Sequence, residues 1–219
     1  MPRVVDHEAR RKEIVEALFR VAERGGLASA TYRTIAKEAG VPAPRVQYYF
    51  ATKGALLGGA MQELGTRIVG RGMELIAALG PNPAPAAVLG AAVEGARPVD
   101  ADTRQALVLF YQFLVAGLAD DALGESGIAA AQGLIIENFA QLIRDGQEHG
   151  EVDPARDVVH EARLVLFGNT GLMLAALIGI HSVDDANAAI DYHLKNLFRS
   201  PSASRRQGRP RATRSRAAE

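Results

Sequence analysis

Residues 31–57, TYRTIAKEAGVPAPRVQYYFATKGALL, hold two short helical patterns joined by a tight turn. Thr31 suits an N-cap, because its hydroxyl accepts one of the backbone N–H groups that a helix leaves unpaired at its start. Ile35, Ala36 and Ala39 then recur on one face. Gly40 follows, and glycine ends a helix in the left-handed region at little steric cost. Val41 fills the angle between the two helices. The second starts near Ala43 or Pro44, since proline is tolerated only in a first turn. Val46 and Phe50, four residues apart, anchor its inner face. Arg45, Gln47, Tyr48 and Tyr49 are thereby turned outward. A helix of about two turns is not stable alone, so it must lie on a neighbour.

The preceding segment, His7 to Arg24, supplies one. Ile14, Val15, Leu18, Phe19 and Ala22 form an apolar stripe at helical spacing, while Arg10, Arg11, Lys12 and Arg20 fall mainly elsewhere. Gly25-Gly26 ends that helix. Three helices, the last two joined by a glycine turn, make a helix-turn-helix whose final helix enters the major groove. Three ordinary core helices ending in aromatics are the alternative. The turn, the buried positions and the outward polar set agree on the first reading. Arg45, Gln47 and Tyr48 are expected at base edges, where arginine and glutamine offer paired donors and acceptors to purines. Thr31, Arg33, Tyr49 and Lys53 are expected on phosphates, with Tyr32 and Pro44 in the same surface.

The order IAKEAGVPAPRVQYYFATKGALL resembles the N-terminal signature of the tetracycline-repressor-type transcriptional regulators. Thr31, Ile35, Ala36, Gly40, Val41, Val46, Tyr49, Phe50, Lys53 and Leu56 sit where that pattern expects them. From about Pro98 to Phe198 the chain resembles the C-terminal domain of the choline–betaine repressor subgroup, through RQALVLFYQFLVAGLADD, LIRDGQEHGEVDP and a last helix ending YHLKNLF. It departs from the pattern in having no tryptophan, and in Ala43-Pro44. The resemblance implies an all-α protein, a homodimer formed by the last two helices as a four-helix bundle, and an effector pocket in the C-terminal part.

Net charge is zero, but it is unevenly placed. Residues 1–54 carry 10 Lys+Arg against 6 Asp+Glu, residues 55–199 carry 9 against 18, and the last twenty carry 6 against 1. A basic head before an acidic body orients a protein on a polyanion. Cysteine is absent, which fits a reducing cytoplasm. No apolar signal segment opens the chain. The longest apolar run, Leu164 to Ile180, contains Asn169, Thr170 and three glycines, so a buried helix is expected there and no membrane span.

The remainder reads as helix without an alternating strand pattern, making about nine helices in all. The expected spans are Lys53 to Leu79, capped by Thr52; roughly 86–96; Thr103 to Ala119; about Gly124 to His149; Pro154 to Ile180, capped by Asp153; and Val183 to Phe198. The domain division expected is 1–52 for the helix-turn-helix, 53–199 for effector binding and dimerisation, and 200–219 as a disordered basic tail, which has almost no large apolar residue. Gly168, Gly171, Ala175 and Gly179 recur at spacings of 3, 4 and 4. Three glycines in one helix call for close approach of another helix in compensation. With Ile190, Leu194 and Leu197 on the amphipathic last helix, they are the expected dimer residues, with packing inside the chain as the alternative.

Polar residues inside apolar helices mark pocket candidates, because a few polar points in an apolar wall orient small ligands. Phe110, Tyr111, Phe113, Leu114, Phe139, Phe167, Met173 and Leu174 are the candidate wall, with Gln112, Asn138, Asn169 and Thr170 as polar points. No Lys or Arg interrupts these segments, which points to a small, largely apolar effector. The five histidines show no metal spacing, Asp120-Asp121 and Asp184-Asp185 read as helix-end charges, and no nucleophile, P-loop or dinucleotide motif occurs. No catalytic residue, metal or cofactor is therefore expected. The reading is a cytoplasmic, homodimeric, one-component regulator, more a repressor than an activator, on a palindromic operator. The alternatives are a ligand-independent DNA binder, or a helical enzyme with an accessory DNA-binding module.

Overall fold

Nine α-helices and one 3-10 turn, with no strand, make up the described residues of the chain, 4–116 and 128–199 of this computed structural model. They are α1 (Val4–Gly25), a turn at Leu27–Ser29, α2 (Tyr32–Glu38), α3 (Ala43–Tyr49), α4 (Lys53–Ala78), α5 (Pro85–Gly95), α6 (Ala101–Ala116), α7 (Ile128–Glu148), α8 (Val158–Leu177) and α9 (Val183–Leu197). The expected basic tail, Asp120-Asp121 and the ends of the helices expected around residues 119 and 124 lie outside the described residues.

The helix-turn-helix forms for the reasons its sequence gives. Thr31 caps α2 by accepting from the Thr34 N–H, and the Thr34 hydroxyl accepts from the Thr31 N–H in return. Gly40, at φ 65, closes α2: the Val41 N–H reaches back to the Ala36 carbonyl at 2.9 Å and the Gly40 N–H to that of Lys37. A residue with a Cβ would be strained at that φ. Arg20 and Arg24 of α1 both bond Glu38 at the end of α2, and the Arg20 bond, then that of Arg24, holds its carboxyl below the usual range.

Three apolar cores follow. The first joins Ile14, Leu18 and Phe19 of α1, Ile35 of α2, Val46 and Phe50 of α3, Leu56 to Leu64 of α4, and Leu109 and Phe113 of α6. This core does not stop at residue 52; it draws three turns of α4 and one face of α6 into the packing of the helix-turn-helix. The second core joins Leu89 and Val93 of α5, Ile143 of α7, Val152, Val165 of α8, and Ile190 and Leu197 of α9. The third gathers Leu107 and Tyr111 of α6, Met173 of α8 and Ala186 of α9. Helices α4 and α5 cross where glycine faces glycine: a Cβ on Gly95 would stand 2.3 Å from the Gly72 Cα.

Two helix starts differ from expectation. Helix α8 begins at Val158 with Asp157 as its cap, accepting from Val159 and His160, and not at Pro154. The Asp153 carboxylate bonds the Ala155 N–H instead and makes a separate turn before the helix. The His160 N–H, then its ring, keeps the Asp157 carboxyl below its ordinary range. Helix α6 begins two residues before Thr103, because Asp100 bonds the Thr103 N–H at 2.7 Å.

Candidate nucleic-acid interface and junction cleft

Helix α3 is fixed from below and bare above. Val46 and Phe50 are buried in the first core. Pro44, Arg45, Gln47 and Tyr48 are exposed on the other side, with Tyr48 at 75 %. Thr31, Arg33 and Lys53 are exposed as well. Tyr49 is half-buried, its ring 4.7 Å from that of His7 and 5.2 Å from that of Tyr48. Tyr32 is half-buried as well, and its hydroxyl donates to the Phe50 carbonyl at 3.1 Å, so it braces the helix; its burial raises its pKa. Sequence reasoning missed His7 and Arg11, which lie one and two turns into α1 and reach across to α3. No local signal in the sequence marks that contact, since 38 residues separate Arg11 from Tyr49.

The candidate ligand residues do not converge on one cavity. Gln112 and Asn138 are exposed, and Phe167 is 51 % exposed on the outer face of α8, so these three line no interior wall. Phe113 is fully buried in the first core, while Phe139 packs against the second. Phe110, Tyr111, Leu114, Met173 and Leu174 do meet, in and around the third. There the Tyr111 hydroxyl donates to the Thr170 carbonyl at 3.0 Å, and burial pushes its pKa up to about 12. Thr170 turns its own hydroxyl onto the Leu166 carbonyl. Asn169 is buried with its Oδ1 unpartnered among the described residues.

A cleft of about 460 Å³ lies elsewhere, where α1, α4, the end of α5 and the start of α6 meet. Leu64, Ile68, Ala106, Leu107 and Leu109 form its apolar surface, and Glu23, Arg67, Arg97, Asp102, Thr103 and Gln105 its polar one. None of the candidate wall residues lines it; Leu107 and Ile68 are shared with the third core behind. The two guanidiniums, which the apolar-segment argument did not anticipate, are neutralised. Arg67 bonds Glu16 and Glu63, and Arg97 bonds Glu94 and Asp191 at 2.6 and 2.5 Å. Glu23 and Asp102 have no such partner among the described residues.

The expected dimer residues divide into two sets. Ile190 and Leu197 are buried in the second core of their own chain, because α9 packs on α5 and α8 through that face. Leu194 is half-buried against the same core. Gly179 lies past the end of α8 at φ 81 and closes it, the Ile180 N–H bonding the Ala175 carbonyl; its role is to end the helix. Gly168 and Gly171 have nothing within 4 Å of an added Cβ, so no packing inside the chain requires glycine there. Leu164, Phe167 and Ile178 continue that face outward, and Tyr192 of α9 is exposed too.

Comparison with known proteins agrees with this geometry. A model of bacterial regulatory proteins of the tetR family matches residues 14–60, and one of the C-terminal domain of BetI-type transcriptional repressors matches residues 85–199. The HTH-type transcriptional regulator PksA of Bacillus subtilis is 42 % identical over 71 residues, 32 % of this chain and 35 % of that protein. The chain thus matches about a third of the length of the curated relatives. A putative TetR-family regulator from Rhodococcus sp. superposes with a TM-score of 0.76 at 18 % identity, covering 86 % of this chain and 98 % of that one. A putative regulator from Saccharomonospora viridis, solved in complex with choline, gives 0.70 at 21 %, covering 86 % and 96 %. The chain belongs to the tetR family, with a C-terminal part of the BetI type. It is a transcriptional regulator with a helix-turn-helix DNA-binding domain, and the family's members are regulators, not enzymes.

Proposed function

We propose that this regulator is a homodimeric repressor that holds a palindromic operator through two copies of α3 and is released by a small, largely apolar effector. The observation that carries the reading is the orientation of α3. Its apolar residues are sunk in a core shared with α1, α4 and α6, and Arg45, Gln47 and Tyr48 are left exposed, as are Thr31, Arg33 and Lys53. The outer face of α8, with Leu164, Phe167, Gly168, Gly171 and Ile178, supports pairing with a second copy, with Tyr192 of α9 beside it. Burial of Ile190 and Leu197 moves the α9 contribution to its other side. No helix among the described residues is long and apolar enough to cross a membrane, so an apolar stripe of this kind is better matched by protein.

The junction cleft supports the effector reading, because an occupant would touch α1 and α4 of the DNA-reading end and α6 of the rest. Its size falls within the range of small-molecule sites, ~300–1,000 Å³. With both arginines already paired, and Glu23 and Asp102 unpaired among the described residues, it suits a neutral or cationic amphiphile better than a carboxylate or phosphate. The Saccharomonospora viridis regulator with choline is one cationic case on this fold. The test begins with a duplex selected from a random pool by the full-length protein, titrated by fluorescence anisotropy with neutral, tetraalkylammonium and carboxylate amphiphiles. Release by the first two classes, lost when Ile68→Trp fills the cleft, is expected. Release by carboxylates alone, or release that Ile68→Trp leaves intact, overturns this assignment.

A further inference from the structure

We propose that Arg11 is a positioning residue for the recognition helix: together with Tyr32 it caps the C-terminal end of α3 from outside, and so sets the angle at which Arg45, Gln47 and Tyr48 are presented. The inference rests on the reading of α3 as the helix that meets DNA. A helix leaves its last carbonyls without partners, and in seven residues that is most of the helix. The usual remedy is a glycine just past the end, in the left-handed region, as Gly40 provides for α2. Helix α3 has no such residue. Its C-cap is Phe50 at φ −137, followed by Ala51.

Two side chains take the place of that glycine. Arg11 of α1 donates from Nη1 to the Tyr49 carbonyl at 2.7 Å, and the Tyr32 hydroxyl of α2 donates to the Phe50 carbonyl at 3.1 Å. A cation suits this end, where the helix dipole is negative. The guanidinium also lies 4.2 Å from the centroid of the Phe50 ring, within cation–π range. Helix α4 meets the same ring at Gly59, where a Cβ would come within 2.8 Å of Phe50 Cε1. Phe50 and the carbonyl before it are therefore held by α1 and α4 together. Arg11 lies before the region matched by the family model, residues 14–60. An arginine kept for phosphate would leave its guanidinium in water; this one is half-buried against its own protein.

The test uses the full-length protein, the selected duplex and an unrelated duplex of equal length, at a temperature where circular dichroism shows every variant folded. Arg11→Ala is expected to weaken the selected duplex roughly tenfold, the size of one lost charged hydrogen bond. The unrelated duplex should bind as before and the salt slope should not change. Tyr32→Phe should move specific affinity in the same direction by less. Arg11→Lys keeps the charge but not the flat guanidinium that covers the ring and reaches the carbonyl at once, so it should not restore specificity. A salt slope lowered by about one, with both duplexes weakened alike, marks a phosphate contact and overturns the proposal. So does rescue by Arg11→Lys, or unchanged affinity in Arg11→Ala. Gln47→Ala, run in parallel, separates the two levels. If Gln47→Ala loses discrimination and Arg11→Ala does not, only the cap is refuted; if neither loses it, the reading of α3 itself fails.

Discussion

Replacing Gly95 by alanine should destabilise the protein through one contact. The added Cβ would stand 2.3 Å from both Cα and N of Gly72, and 3.2 Å from the carbonyl carbon of Arg71. Carbon atoms in contact sit about 3.5–4.0 Å apart, so α4 and α5 would have to separate by roughly 1.2 Å or more at the crossing. Every offended atom is backbone, and no rotamer change relieves it. Overpacking of this kind costs ~1–3 kcal/mol. Gly95 is the last residue of α5, so little helix propensity is gained in return. Arg97, two residues on and bonded to Glu94 and Asp191, would be carried along. For a chain of this size each kcal/mol shifts Tm by about 2–4 °C, which gives a fall of roughly 2–12 °C. Thermal melts by circular dichroism at one fixed protein concentration would read it. Gly90→Ala is the control: it makes the same chemical change within α5 but meets nothing within 4 Å. That variant should be unchanged or more stable by up to ~1 kcal/mol. Equal Tm for Gly95→Ala and wild type, or an equal loss in Gly90→Ala, would refute the argument from the crossing.

Two further outcomes follow from the body helices. The Tyr111 hydroxyl is protonated up to about pH 12 in the folded chain, against an ordinary value of 10.0. The folded state therefore binds more protons across that interval, and stability is full below pH 10 and falls as pH rises toward 12. The loss is on the order of 2 kcal/mol. Urea titrations at pH 9 and 11 should show this extra alkaline loss in wild type but not in Tyr111→Phe; parallel losses would count against it. Gly171→Leu should leave the monomer's fold intact, since a Cβ added there meets no neighbouring helix or side chain within 4 Å, yet abolish or strongly weaken the proposed dimer. Sedimentation that shows an undiminished dimer would remove α8 from the interface.

Local chemistry was readable in the sequence wherever a residue acts on its own neighbours. The Thr31 cap, the Gly40 turn and the Thr52 cap all involve partners within a few residues, and the Val46 and Phe50 anchors showed in their four-residue spacing although distant helices cover them. Helix α4 could be placed from Thr52 and the prolines after Gly80 for the same reason. What failed to show were contacts set by packing between distant helices. Asn138 and Gln112 lie in apolar runs, as pocket residues do, yet the register of α7 and α6 turns them to solvent. Ile190 and Leu197 carry an amphipathic stripe whichever helix covers it, and here α5 and α8 do. In the fold, α4 is one continuous helix, and Gly59 and Gly72 are places where Phe50 and α5 come close. The junction cleft draws on four separate helices and two neutralised arginines, a combination no single segment reveals.

The proposed division of labour on α3 is tested most directly by measuring salt and sequence dependence together. Wild type, Gln47→Ala and Lys53→Ala would be titrated by fluorescence anisotropy against the selected operator and its single-base-pair variants, from low to physiological salt. Gln47→Ala should lose ~1–3 kcal/mol of discrimination at particular base pairs and keep its salt slope. Lys53→Ala should weaken every duplex alike and lower the slope by about one. The same salt and sequence dependence in both variants would contradict the assignment of base reading to the exposed face of α3.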